Sequence, residues 1–283
     1  MKIIAKIDGS LLDLLQARFP QASKTTLRQM LRHGRVLRDG RVVHRADSPV
    51  RAGDAIELIA AHEPEPEVDP PGRILLRDAH LIGIEKPAGL LSVARDPEVD
   101  DTFYRRVNDY VRETSRGRER IFIVHRLDRG VSGIMLFAFS PEVQEGLQRA
   151  WATTEKHYWA LVEGHPPEEE GTIRSWLREN RAHRVFSTPR GPEAKLAVTH
   201  YRVRRSTPSR TLLEVQIETG RKNQIRAHLA ELGCPVVGDR KYGARTNPFR
   251  RLGLHAFLLV FTHPVTGERI RLRLPLPSAF RTG

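Results

Sequence analysis

With 283 residues, 39% hydrophobic and 29% charged, the chain has the length of about two domains and an ordinary globular composition. No run approaches the ~18 consecutive apolar residues of a membrane span, and the opening MKIIAKIDGS has too short an apolar stretch for a signal peptide. The single cysteine, Cys234, excludes an internal disulfide and a cysteine-based zinc site, and the net charge of +13, carried mostly by arginine, points to a polyanionic partner. A basic composition of genomic or thermal origin is the alternative. A cytoplasmic location is expected.

Residues 1–60 read as a small α+β unit. Leu11, Leu12, Leu14, Leu15 and Phe19 fall near helical spacing, and Ser23 is placed to cap a second helix over 24–33 with Leu27, Met30 and Leu31 inward. Short strands follow at 35–37, 41–43 and 55–58, with turns at Asp39-Gly40 and Ala52-Gly53-Asp54. Lys24, Arg28 and Arg32 recur every four residues, which puts a basic row on one face of the second helix; a solvated surface explains such a row equally well. Residues 61–73, AHEPEPEVDPPGR, hold four prolines and four acids and read as a semi-rigid linker.

Residues 74–283 alternate short strands with a few helices, the pattern of an α/β or α+β domain with a largely antiparallel sheet. Strands are predicted at 81–84, 121–124, 134–138, 156–162 and 212–218. Helices are predicted at 102–112, 141–151 and 223–232. No phosphate-binding glycine loop of the GxGxxG or GxxxxGK[ST] type occurs, so a nucleotide cofactor gets no support.

Two segments carry candidate chemistry. HRLDRGVSG, residues 125–133, puts His125, Arg126, Asp128 and Arg129 between two apolar strands. Asp128 is either a turn residue bonding backbone amides or a carboxylate presented for reaction; Arg126 and Asp128 share strand parity and so face one cleft. ETGRKNQIRAH, residues 218–228, places Gly220 at a sharp strand-to-helix turn beside Arg221, Lys222 and Arg226. Such a turn is an anion site, suited to an RNA phosphate or to Asp128, or else an ordinary basic helix start. Arg226 is open to pairing with an acid inside the domain.

Taken together, HRLDRGVSGIML, GRKNQIRAHLAELGCPVVGDRKYG, KHYWALVEG, IEKPAGLLS and LGLHAFLLVFTHPVTGE resemble the ordered motifs of the RluA family of RNA pseudouridine synthases over residues 75–277. The N-terminal unit resembles the S-four-like RNA-binding domain that often accompanies that family. The resemblance implies a pseudouridine synthase fold and isomerisation of a uridine in structured RNA, most readily ribosomal RNA, without metal or other cofactor; a monomer is expected. Asp128 matches the nucleophilic aspartate, acting at the sugar directly or through a glycal. Arg221 matches its basic partner, and Tyr158 the active-site tyrosine. Arg126 matches the arginine that fills the gap left by the flipped base. Lys24, Arg28, Arg32, Lys86, Lys222 and Arg226 complete the expected RNA contacts. This chain departs from the pattern at Val131 and at Lys222-Asn223. His125, His157, His228 and His255 sit inside these motifs, and the chain has no HxxxH or HExxH spacing. The remaining alternatives are a transfer-RNA enzyme and a non-catalytic RNA-binding or ribosome-assembly factor.

Overall fold

The computed structural model describes residues 1–32, 34–59, 68–94 and 101–281. The chain forms two compact units, Met1–Glu67 and Val68–Gly283. Residues 61–67 of the expected linker, and His33 at the expected end of the second helix, lie outside the described residues.

The first unit runs β1 (Lys2–Ile4), β2 (Gly9–Ser10), α1 (Leu11–Arg18), α2 (Lys24–Arg32), β3 (Val36–Arg38), β4 (Arg41–Val42), β5 (Pro49–Val50) and β6 (Ala55–Leu58). An antiparallel sheet of order β1-β6-β3-β4 forms beside a β2-β5 pair. Asp39 and Gly40 both take positive φ, which suits the two-residue connection from β3 to β4. Ser10 and Ser23 cap the two helices by accepting the amides of Asp13 and Thr26. Leu27 and Leu31 turn into a core with Leu11, Leu15, Val36 and Ile56, so the four-residue row Lys24, Arg28 and Arg32 is left exposed.

The second unit runs β7 (Ile74–Arg77), β8 (Leu81–Lys86), α3 (Phe103–Thr114), β9 (Phe122–Ile123), β10 (Ser132–Ala138), α4 (Pro141–Arg149), β11 (Glu155–Glu163), β12 (Glu170–Glu179), β13 (Val185–Thr188), β14 (Lys195–Thr207), β15 (Arg210–Ile217), α5 (Gln224–Glu231), β16 (Leu254–Thr262) and β17 (Arg269–Arg273). Eleven strands share one sheet of order β13-β12-β14-β15-β11-β16-β10-β8-β7, with β17 beside β16 and β9 beside β10. The sheet is mixed but largely antiparallel; β10 and β16 run parallel.

Every residue of β10 is buried, because helices cover both faces of this strand. Met135 and Phe137 pack with Phe103, Val107 and Val111 of α3. Ile134, Leu136 and Ala138 pack with Val143 and Leu147 of α4. Gly133 has φ +127°, and a Cβ there would lie 2.2 Å from the Ala256 carbonyl oxygen, so glycine is required where β10 meets β16.

The strand expected over 121–124 shrinks to Phe122–Ile123. Ile123 pairs with Phe137 rather than with the start of β10. Residues 124–131 are therefore not a tight hairpin turn but a wide excursion that returns to the sheet at Ser132. Among the described residues no helix is long and apolar enough to cross a membrane.

Candidate active site

The excursion that carries Asp128 is clamped at several points. Ser92 bonds the Leu127 backbone from both sides, accepting its N–H at 3.0 Å and donating to its carbonyl at 2.6 Å. The Gly89 amide donates to the Arg129 carbonyl at 2.8 Å, and Arg129 Nε returns a bond to the Gly89 carbonyl. His125 Nε2 accepts the Leu136 amide at 3.1 Å while its ring stacks on Trp151. Burial, then the charge of Lys156, pushes the His125 pKa down to about 3, so the ring is a neutral acceptor. Asp128 is fixed between two backbone anchors, with about a third of its side chain exposed.

Its ion-pair partner is Arg226. Arg226 Nη1 donates to Asp128 Oδ2 at 3.0 Å, while Nε and Nη2 grip Asp239 at 2.6 and 2.9 Å. Burial disfavours the charged guanidinium, but Asp239 and then Asp128 outweigh it and raise its pKa. The Asn223 side-chain Oδ1 also accepts from Nη1, and the guanidinium lies over the Tyr242 ring.

Tyr158 comes from β11, where it is registered opposite Val215 and Ala256, with a bulge in the β16 pairing between His157 and Tyr158. It is half-buried, and burial with the nearby Asp128 charge raises its phenol pKa, so the hydroxyl keeps its proton at neutral pH. Arg126, Asp128, Tyr158, Arg221 and Arg226 line one cleft of about 100 Å³ with Ile217 and Gly220. Arg126 and Asp128 both line this cleft, although neither lies on a strand, so strand parity is not what brings them together.

Several expected placements differ. Arg221, expected as the partner of Asp128, reaches the cleft wall but sends Nε to the Leu196 carbonyl at 3.0 Å. One turn along α5, Arg226 takes that place, and it is largely withdrawn from solvent between two acids rather than offered to RNA. Lys86, expected on RNA, is fully buried. Its ammonium donates to the carbonyls of Pro87, Leu90 and Arg129, and burial lowers its pKa to about 8. It ties the 87–90 loop to the Asp128 excursion. Lys222 pairs with Glu179 at the surface, outside the cleft lining.

The left-handed residue of the strand-to-helix turn is Asn223 (φ 52°), not Gly220. Asparagine tolerates that conformation, and its buried amide also donates to the Tyr242 hydroxyl. The side chain of Gln224 accepts the Arg221 amide and the Thr219 hydroxyl, so the turn is satisfied from within. Asp239 was not singled out from sequence. Its signal was present in GDRKYG, an acid next to arginine and lysine, but nothing local shows that it is buried.

A protein-family model described as RNA pseudouridylate synthase matches residues 80–231, and one described as S4 domain matches residues 11–56. The chain belongs to the RNA pseudouridylate synthase family. It is 32% identical over 280 residues to ribosomal large subunit pseudouridine synthase D of Xanthomonas campestris, across 92% of this chain and 83% of that protein. It is 34% identical over 286 residues to an uncharacterized RNA pseudouridine synthase of Mycobacterium bovis, across 95% of this chain and 92% of that one. The solved structure of human RNA pseudouridylate synthase domain containing 4 aligns with a TM-score of 0.60 at 27% identity, covering 74% of this chain and 90% of its own. The protein is an RNA pseudouridine synthase, an isomerase, with an RNA-binding S4 unit at its N-terminus.

Proposed function

We propose that this synthase converts a uridine of ribosomal RNA to pseudouridine, with Asp128 as the nucleophile. The observation that carries the reading is a carboxylate about a third exposed, anchored on both sides by backbone bonds and held by Arg226, in a cleft shared with Tyr158. In the reaction the bond from uracil N1 to ribose C1′ breaks and a bond from C5 to C1′ forms. The C5 proton is released, and N1 gains one. Asp128 acts at the sugar, the Tyr158 ring supports the uracil, and Arg126 at the exposed mouth fills the space left by the extruded base. Arg221 lines the same cleft and contacts RNA phosphate there; Lys222, at the surface outside the cleft and beside Glu179, adds a peripheral phosphate contact, and Lys24, Arg28 and Arg32 add others from the first unit. The names of the relatives support ribosomal RNA as substrate. The reading takes the enzyme as a cytoplasmic monomer.

The test is tritium release from unmodified ribosomal RNA labelled at uridine C5, without added metal or nucleotide. Release by the wild type and none by Asp128→Asn is expected. Release from transfer RNA alone would replace the ribosomal substrate. Tight binding of both RNAs without release would replace catalysis with a binding role.

A further inference from the structure

A second chamber of about 270 Å³ adjoins the Asp128 cleft, nearly three times its volume, and shares Arg126, Tyr158, Ile217 and Gly220 with it as a common wall. Beyond that wall its lining is mixed: Ile134, Leu258 and the Trp151 ring stand beside the polar His125, Lys156 and His157. Neither Asp128 nor Arg226 reaches it, so it is not the place where the glycosidic bond is cut.

The chamber's one buried cation is Lys156, which is 6% exposed. Its ammonium donates to the Trp151 carbonyl at 3.1 Å and lies over the Trp151 ring at 5.8 Å. Among the described residues no carboxylate pairs with it. An ammonium carries three donors and no acceptor, so two protons are left to a ligand, and a buried charge with unfilled donors is costly unless an acceptor arrives. Burial accordingly lowers its pKa. Trp151 is itself held flat by the stacked His125 ring, with centroids 4.5 Å apart.

Resting on the reading of the Asp128 cleft as the uridine site, we propose that this chamber binds a second nucleobase, a guanine or uracil neighbouring the target uridine, stacked on Trp151 with a keto oxygen accepting from Lys156. Flat rings stack on an indole face whatever their sequence. Discrimination comes from one position on the edge: guanine O6 and uracil O4 are acceptors, whereas adenine N6 and cytosine N4 present amino protons there against an ammonium. The chamber therefore reads sequence context one nucleotide away from the reacting base.

The test needs no knowledge of the natural RNA. The full-length enzyme is titrated with GMP, UMP, AMP and CMP while tryptophan emission is followed, with Trp151→Phe to identify the Trp151 signal and inorganic phosphate as a control. GMP and UMP are expected to quench at concentrations roughly five- to tenfold lower than AMP and CMP. Lys156→Met should erase that difference while stacking persists; Leu258→Phe should block all four by filling the chamber. Near-ultraviolet circular dichroism shows that each variant is folded. Equal quenching by the four nucleotides would overturn the proposal, as would competition by phosphate alone. Binding of UMP but not GMP would overturn it differently, by assigning the chamber to the target uracil. Tritium release reads the catalytic assignment separately, so either reading can fail without the other.

Discussion

Arg226 joins Asp128 to Asp239 through a single guanidinium, Nη1 on one acid and Nε with Nη2 on the other. The planar fork satisfies two carboxylates in fixed directions, which an ammonium cannot do. Asp239 is 2% exposed on its side chain, so the arrangement anchors the Asp128 pair in the core. Arg226→Lys should lower stability by about 3 kcal/mol, toward the cost of breaking a buried pair, and reduce single-turnover tritium release by on the order of 100-fold. Arg221→Ala should leave the melting temperature nearly unchanged and act mainly on KM. Equal effects of the two substitutions would remove Arg226 from its special place.

Asp128→Asn preserves shape and the contacts around Leu127 and Arg129. Tritium release should fall by on the order of 10³-fold or more, with RNA binding within a few-fold of the wild type. Retention of activity within about tenfold would rule out a nucleophilic role. Filter binding beside the release assay separates the two effects.

Lys86 and the α2 row make opposite predictions for salt dependence. Lys86→Met removes the donor to the Pro87 and Leu90 carbonyls and leaves the Arg129 carbonyl to the Gly89 amide alone, and a loss of about 1–3 kcal/mol is expected in urea unfolding. The slope of log binding constant against log salt should stay as in the wild type, since the ammonium never meets RNA. Replacing Lys24, Arg28 and Arg32 together by alanine should flatten that slope by roughly 2–3 units if each neutralises one phosphate. Stability should hardly change, because all three side chains are exposed.

His125 and His255 should make the fold acid-sensitive. Burial, then the charge of Lys156, takes His125 down to about 3; burial, then that of Arg251, takes His255 down to about 4; both start from 6.5. A folded-state pKa below the unfolded one means that unfolding takes up protons. The contribution is complete above pH 6.5 and is lost as pH falls toward 4 and then 3, at most about 1.4 kcal/mol per pH unit for each ring. His255 Nδ1 bonds Ser132 Oγ at 2.7 Å. In His255→Gln the melting temperature should fall less steeply between pH 6.5 and 4; parallel curves for variant and wild type would reject this account.

Local pattern made most elements legible. α2 and α3 keep apolar residues four apart, at Leu27 and Leu31 and at Phe103, Val107 and Val111, because one helix face must be covered. Ser23 marked the start of the second helix, since an orphan amide needs an acceptor there, and the structure shows Thr102 capping α3 in the same way. Residues 121–124 misled for the same reason that they are apolar. Ile121 and Val124 are buried by packing and not by pairing, and an apolar run does not distinguish the two.

The sequence by itself determined the helices, part of the strands, the Asp128 segment, the tyrosine on β11 and the family to which the chain belongs. These are carried by residues close together in the chain, where spacing translates directly into local geometry. Only the tertiary structure decided which cation meets Asp128. Arg221 and Arg226 stand five residues apart on one segment, and the choice depends on where α5 starts relative to an excursion 98 residues away. Burial decided likewise that Lys86 is a clasp and not an RNA contact, and that Asp239 belongs to the site. Solvent exposure is a property of the packed molecule, and a lysine or an aspartate reads the same in sequence whether it faces water or a ring of carbonyls.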